Sequence, residues 1–146
     1  MAKPFVGDDK CVVILGDNII TDDISVPVRE FDAVGGAAIF VKKVDDPERF
    51  GVVDWDERGW PKDLVEKPEF PPSNDAVIGL YMYDNSVFER IETLIPSGRG
   101  ELEVTDLNRS YLKDEQLTVH RIHGTWMDCG TFDSLALATK TFYEDE

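Results

Sequence analysis

The sequence has 146 residues, with 30 acidic against 15 basic side chains and a formal charge of −15. That is enough chain for one domain with a core, and the charge would repel nucleic-acid phosphates over most of the surface. No apolar stretch approaches the ~20 residues needed to span a bilayer. MAKPFVGDDK lacks the basic-then-apolar layout of a secretion signal, so a cytoplasmic location without membrane or nucleic-acid partners is expected.

The first element is VVILGDN, Val12 to Asn18. Its apolar residues do not alternate, which predicts a strand covered on both faces, as in a parallel sheet with helices on each side. Ligands collect beyond the carboxyl ends of such strands, so Asp17 stands where a functional group would be placed. A Thr-Asp-Asp cluster at 21–23 offers an N-cap, and Pro27 is tolerable in a first turn. Ile24, Val28, Phe31 and Val34 follow at helical spacing until Gly35-Gly36 ends the helix. AAIFVKKV (37–44) reads as the next buried strand. GVVDWDERGW alternates and turns at Glu57-Arg58-Gly59, a hairpin leading into DLVEKP. After the proline-stiffened PEFPPSN comes the strand AVIGLYMYD (76–84). Asn85 caps a helix running to about Leu94, which Pro96 prevents from continuing much further. PSGRGELEVTD is a glycine-bracketed loop entering a helix with Leu107, Tyr111 and Leu112 on its inner face. LTVHRIH is a short strand with Leu117, Val119 and Ile122 as its apolar positions. TWMDCGT is a tight connection, and Thr131 caps a last helix with Leu135, Ala138 and Phe142 inward. No repeat or low-complexity linker divides the chain, so residues 1–146 read as one α/β domain. Cys11 and Cys129 sit in unrelated contexts without metal-type spacing, as in a reduced chain. The excess acid is scattered among apolar residues, a solvated surface and not an acidic tail. A salt-loving source would account for it, although lysine is not depleted.

Asp128 is the candidate partner of Asp17. It follows Trp126-Met127 and precedes a glycine and a helix cap. Two carboxylates on one rim suit a hard divalent cation that keeps waters and takes phosphate oxygens, as Mg²⁺ does. Spacing alone equally allows two turn aspartates that accept from backbone N–H groups. Glu66 and Lys67 in VEKP would point to opposite faces of a strand unless Pro68 breaks it. There the carboxylate could accept sugar hydroxyls and the ammonium could meet a phosphate; alternatively they are an exposed pair at a strand end. Arg99 lies between two glycines, which free the backbone to bring its guanidinium against a phosphate, or leave it a solvated loop arginine. His120 and His123, three apart on a strand, face opposite ways and read as core or surface histidines. No GxSxG, HExxH or Walker-type phosphate loop is present.

In order, VVILGDNI, DDPERFGVVDWDERG, LVEKP, SNDAVIGLYMYDNSVF, PSGRGELEVTDLNRSYL and WMDCGTFDSL resemble the glucose-1-phosphate thymidylyltransferases, a group of sugar nucleotidyltransferases. The GRGELEVTDLN and WMDCGT stretches favour the thymidylyl over the uridylyl branch. Cys129 departs from the threonine more usual there, and Asp75 stands where an aromatic often sits. The resemblance implies a Rossmann-like, doubly wound, mostly parallel sheet with a small β-hairpin insertion. It implies that Asp17 and Asp128 hold Mg²⁺ against the phosphates, with Lys67 and Arg99 on the phosphate of a sugar 1-phosphate. Glu66 would take sugar hydroxyls, and Gly51 and Val77 would line the sugar pocket, largely through their backbone. The implied reaction is attack of glucose 1-phosphate on the α-phosphorus of dTTP, giving dTDP-glucose and pyrophosphate. A homo-oligomer is the state hinted at.

Such enzymes begin with a strand and a G-G-x-G-T-R-L loop that cradles the triphosphate, and nothing like it precedes Val12. The sheet is therefore expected to be incomplete on its N-terminal side, with Cys11–Leu15 as an exposed edge that self-associates or pairs with a separate N-terminal segment. A non-catalytic sugar-phosphate-binding subunit, or a truncated relic, is the alternative in a different class. A metal-dependent glycosyltransferase ranks last, because LGDN has one acid where an Asp-x-Asp pair would be wanted.

Overall fold

The computed structural model describes residues 2–98 and 100–143. After a short helix α1 (Lys3–Val6) come β1 (Cys11–Ile14), β2 (Asn18–Ile20), α2 (Ser25–Val34), β3 (Ala37–Lys43), β4 (Gly51–Trp55), β5 (Pro61–Glu66) and β6 (Asp75–Tyr83). The remainder is α3 (Val87–Thr93), α4 (Val104–Lys113), β7 (Leu117–Arg121), β8 (Trp126–Asp128) and α5 (Phe132–Tyr143). No helix among the described residues is long and apolar enough to cross a membrane.

Six strands form one sheet in the order β5-β4-β6-β3-β7, with β1 beside β6, while β2 and β8 make a separate two-stranded ribbon. Strand β6 is antiparallel to β1, β3 and β4, and β7 is parallel to β3. Four strands therefore point one way, in keeping with the doubly wound α/β reading, but β6 runs against them from between β1 and β3. Only the β3–β7 pairing is parallel among those in register, which corrects the mostly parallel picture at the level of neighbours. The hairpin β4–β5 reverses the chain before β6, so β6 arrives without the helical crossover that a parallel strand requires.

β6 and β3 alternate side chains into two apolar layers. On one face Ile39, Val41, Tyr81 and Tyr83 pack with Val53, Leu64, Leu107 and Tyr111. On the other, Ala38, Phe40, Ile78, Leu80 and Met82 pack with Phe31 and Ile122. Burying each large side chain of these layers contributes about 1.5–3 kcal/mol. The hairpin turn is built as its residues require: Gly59 has φ +81°, and Asp56 accepts the N–H groups of Arg58 at 2.9 Å and Trp60 at 2.8 Å.

Several elements are less well covered than their periodicity predicts. Val12, Val13, Ile14 and Leu15 are 52 %, 38 %, 57 % and 43 % exposed, because β1 pairs with β6 alone and none of the four joins either apolar layer. Helix α2 buries Phe31 but leaves Val34 outside, and α5 buries Ala138 while Leu135 and Phe142 stay half in water. The cap of α3 also differs: Asp84 accepts from Ser86 N at 3.1 Å and Ser86 Oγ at 2.6 Å, whereas Asn85 donates to the carbonyl of Gly7. Thr131 does cap α5, its hydroxyl accepting from Ser134 N at 3.1 Å. WMDC is not merely a connection, since Trp126–Asp128 forms β8 against β2.

Candidate active site

A cavity of about 620 Å³ opens beyond the carboxyl end of β1, between the β2–β8 ribbon and the β4–β5 hairpin. Asp17, Gly51, Glu66, Lys67, Val77 and Asp128 all line it. Arg99, the remaining site residue expected from the sequence, lies outside the described residues.

The ribbon brings the two aspartates together. Asn18 pairs with Asp128 and Ile20 with Trp126, and Cys129 N donates to the carbonyl of Asp17 at 2.7 Å. A side chain at Gly130 would place its Cβ 3.1 Å from Asp128 Oδ1 and 3.2 Å from Asp17 Oδ2, so the two oxygens flank one small space that glycine leaves open. Among the described residues no group of three or more acidic, histidine or cysteine side chains is placed to hold a metal ion. Two carboxylates with room between them fit a hard cation that keeps water and substrate oxygens as its other ligands.

Asn18 is the hinge of this corner and was not singled out from the sequence. Its amide donates to Asp17 Oδ1 at 2.9 Å, while its carbonyl oxygen accepts from Gly79 N at 2.9 Å and Trp126 Nε1 at 2.7 Å. It therefore ties the aspartate, the central strand and the ribbon to one point. A Cβ at Gly79 would come within 2.6 Å of the Asn18 side chain, so that close approach requires glycine.

Across the cavity, Gly51 pairs with Glu66 along the hairpin, and Thr105 from α4 donates its hydroxyl to Glu66 Oε2. Lys67 follows with φ +42°, a left-handed conformation rare for a residue with a side chain, and its N–H donates to the Phe50 carbonyl at 3.0 Å. That kink lets consecutive residues line one cavity where a regular strand would send them to opposite faces. Arg49 adds a second cation: it pairs with Asp46 at 2.6 Å and stacks over Phe50, and its pKa is raised by that hydrogen bond and by the charges of Asp46 and Asp128. Burial, and then the charges of Glu66 and Asp17, push the Tyr81 hydroxyl up to about 12, so it stays protonated in the cavity lining. Asn18, Arg49, Tyr81 and Thr105 were missed because each looks ordinary alone. The signal available for Asn18 was its place next to Asp17 in GDN.

The histidines do not join the site. His120 stacks on Phe40 at 5.3 Å, and burial lowers its pKa; His123 lies beyond the end of β7. Cys11 and Cys129 are both free thiols.

With this geometry in view, the similarities to known proteins are specific. The nucleotidyl transferase family model matches residues 1–145. The low-salt glycan biosynthesis nucleotidyltransferase Agl11 of Haloferax volcanii is 42% identical over 99% of this chain and 41% of its own length. The glucose-1-phosphate thymidylyltransferase of Neisseria meningitidis is 42% identical over 92% of this chain and 48% of its own. A crystal structure of UDP-glucose pyrophosphorylase with UDP-glucose superposes with TM-score 0.86 at 26% identity, covering 99% of this chain and 60% of that one. The chain thus spans less than half the length of these two curated relatives.

Proposed function

The chain belongs to the nucleotidyl transferase family, and from that premise we propose that it carries the sugar-phosphate and metal side of a glucose-1-phosphate thymidylyltransferase site. The observation carrying this reading is the convergence of Asp17, Asp128, Gly51, Glu66, Lys67 and Val77 on one cavity. The Neisseria meningitidis relative, at 42% identity, bears that activity by name, whereas the uridylyl structure is 26% identical, which favours dTTP.

In this proposal Lys67 holds the phosphate of glucose 1-phosphate, and Arg99 joins it. Glu66, oriented by Thr105, accepts the sugar hydroxyls while the open faces of Gly51 and Val77 admit the ring. A phosphate oxygen of the sugar forms a bond to the α-phosphorus of dTTP as the bond to pyrophosphate breaks. Mg²⁺ held by Asp17 and Asp128 would supply charge neutralisation on the phosphates. The side chains otherwise act by positioning and by fixed charge, which carry most of the catalysis in phosphoryl transfer. No G-G-x-G-T-R-L loop occurs within residues 1–146, so none of the residues named above cradles the triphosphate.

Pyrophosphate release with glucose 1-phosphate, dTTP and Mg²⁺ tests this. Turnover is expected when a segment bearing the G-G-x-G-T-R-L loop is supplied, and not with the chain alone. Equal turnover without that segment would remove the half-site idea. Binding of glucose 1-phosphate with no turnover in either case would leave the non-catalytic subunit.

A further inference from the structure

A second cavity, of roughly 450 Å³, lies where β3 and β7 end and β6 begins. Lys42, Lys43, Arg121 and His123 line it, and Asp75 is its one acid. Three permanent cations against one carboxylate make an unusual local balance in a chain of charge −15, and concentrated positive charge in a concavity attracts anions.

These groups are held in place before any ligand arrives. Asp75 is 5 % exposed; its Oδ2 accepts from Trp55 Nε1 at 2.7 Å and from Arg121 at 3.2 Å. The Arg121 guanidinium lies over the Trp55 ring, 4.5 Å from its centroid. Ion pair and stack together fix the plane of the guanidinium, while the arginine side chain keeps half its surface in solvent. Lys42 Nζ donates to the carbonyls of Gly124 at 2.6 Å and His123 at 3.1 Å, which leaves one of its N–H groups. Asp75 Oδ1 is buried with no hydrogen-bond partner, so the carboxylate is one donor short.

We infer that this cavity binds a phosphate monoester of a small polyol, at a site separate from the one proposed for nucleotidyl transfer. Arg121, Lys42 and Lys43 match the dianionic phosphate, with a net excess of two positive charges once Asp75 is counted. The volume exceeds what inorganic phosphate fills and lies within the range of small-molecule sites. The ligand's hydroxyls lie against the wall that Asp75 contributes, with its Oδ2 kept on Trp55 and Arg121.

The three tryptophans separate the cavities spectroscopically. Trp126 lines the first, Trp55 is bonded to Asp75 in the second, and Trp60 lies 69 % exposed at the hairpin. Titrating Lys67→Ala protein with glycerol phosphate, while following the three indole N–H resonances, reads the second cavity with the first one weakened. The expected result is a saturable shift at Trp55 but not Trp60, with affinity falling about tenfold in a Lys67→Ala/Lys43→Glu double variant. Lys43 is exposed but lies opposite Asp75 in register, so the unfolding midpoint of the double variant, expected to stay close to that of Lys67→Ala, checks that the fold is intact. Should association broaden the resonances, equilibrium dialysis against labelled glycerol phosphate reads the same affinities. A response confined to Trp126, an equal response to glycerol alone, or unchanged affinity in the Lys43→Glu variant overturns the site. None of these readouts depends on nucleotidyl transfer.

Discussion

Strands β1 and β3 are both unbroken apolar runs, yet Ala37 to Val41 are at most 1 % exposed while Val12 to Leu15 range from 38 % to 57 %. β3 has β6 on one edge and β7 on the other, with a packed layer on each face. β1 has β6 alone. Composition therefore states what environment a strand is suited to, and only the neighbouring layers decide whether it is met. The two strands also divide the labour: β3 holds the core together, and β1 delivers Asp17 to the cavity.

The largest expected effect tests that division on its stability side. Phe40→Ala in β3 should cost about 3–5 kcal/mol, whereas Ile14→Ala in β1 should cost well under 1 kcal/mol. Urea denaturation of both variants measures the gap, and equal losses would mean that β1 is covered in solution. On the functional side, Asp17→Asn in the assembled enzyme should raise the barrier by about 2.7–4 kcal/mol, the scale of losing a key electrostatic stabiliser. Its unfolding midpoint should move little, since Asp17 is exposed. A variant that loses stability in proportion to turnover would make the aspartate structural.

A smaller effect concerns the free edge. Long apolar edges without lysine or proline invite pairing with another chain, so the protein should associate with rising concentration, and Val13→Lys should suppress this. Sedimentation velocity decides it: a wild-type chain that stays monomeric throughout removes the edge as an interface. The smallest effect is at acid pH, near the start of β3. Asp84 accepts from Gly36 N and from Ser86 and Tyr111. Burial opposes its charge, but these hydrogen bonds outweigh burial and hold its carboxyl below the ordinary value. A depressed folded pKa contributes stability above the unfolded pKa, and that contribution disappears as pH falls through the folded one. Asp84→Asn should therefore lower stability at neutral pH and flatten the acid limb of the stability–pH curve. An unchanged limb would show that Asp84 is not coupled to folding.

How much of this was legible depended on how local each cause was. β3, the β4–β5 hairpin, β6 and α4 follow from apolar period and turn residues within their own segments. The Asp17–Asp128 pairing was readable because both acids end apolar stretches. The ribbon that achieves it was not: Trp126-Met127-Asp128 is too short for a period, and it becomes a strand only through β2, more than 100 positions away. The convergence of Glu66 and Lys67 needed a backbone angle that only Pro68 hinted at. The exposure of Val34, Leu135 and Phe142 was illegible for the same reason as that of β1, since periodicity marks a face without saying what lies against it.

The β2–β8 ribbon has a further consequence, in time. Asp17 and Asp128 are 111 positions apart, and nothing nearer in the chain holds them together. A ribosome adding about 5–20 residues per second takes several seconds or more to travel between them. Asp17 therefore leaves the tunnel by that interval ahead of Asp128, attached to a greasy strand and still without its partner. The proposed cation site is thus among the last features to form on a nascent chain, and the apolar strand before it spends that interval open to whatever chaperone meets it first.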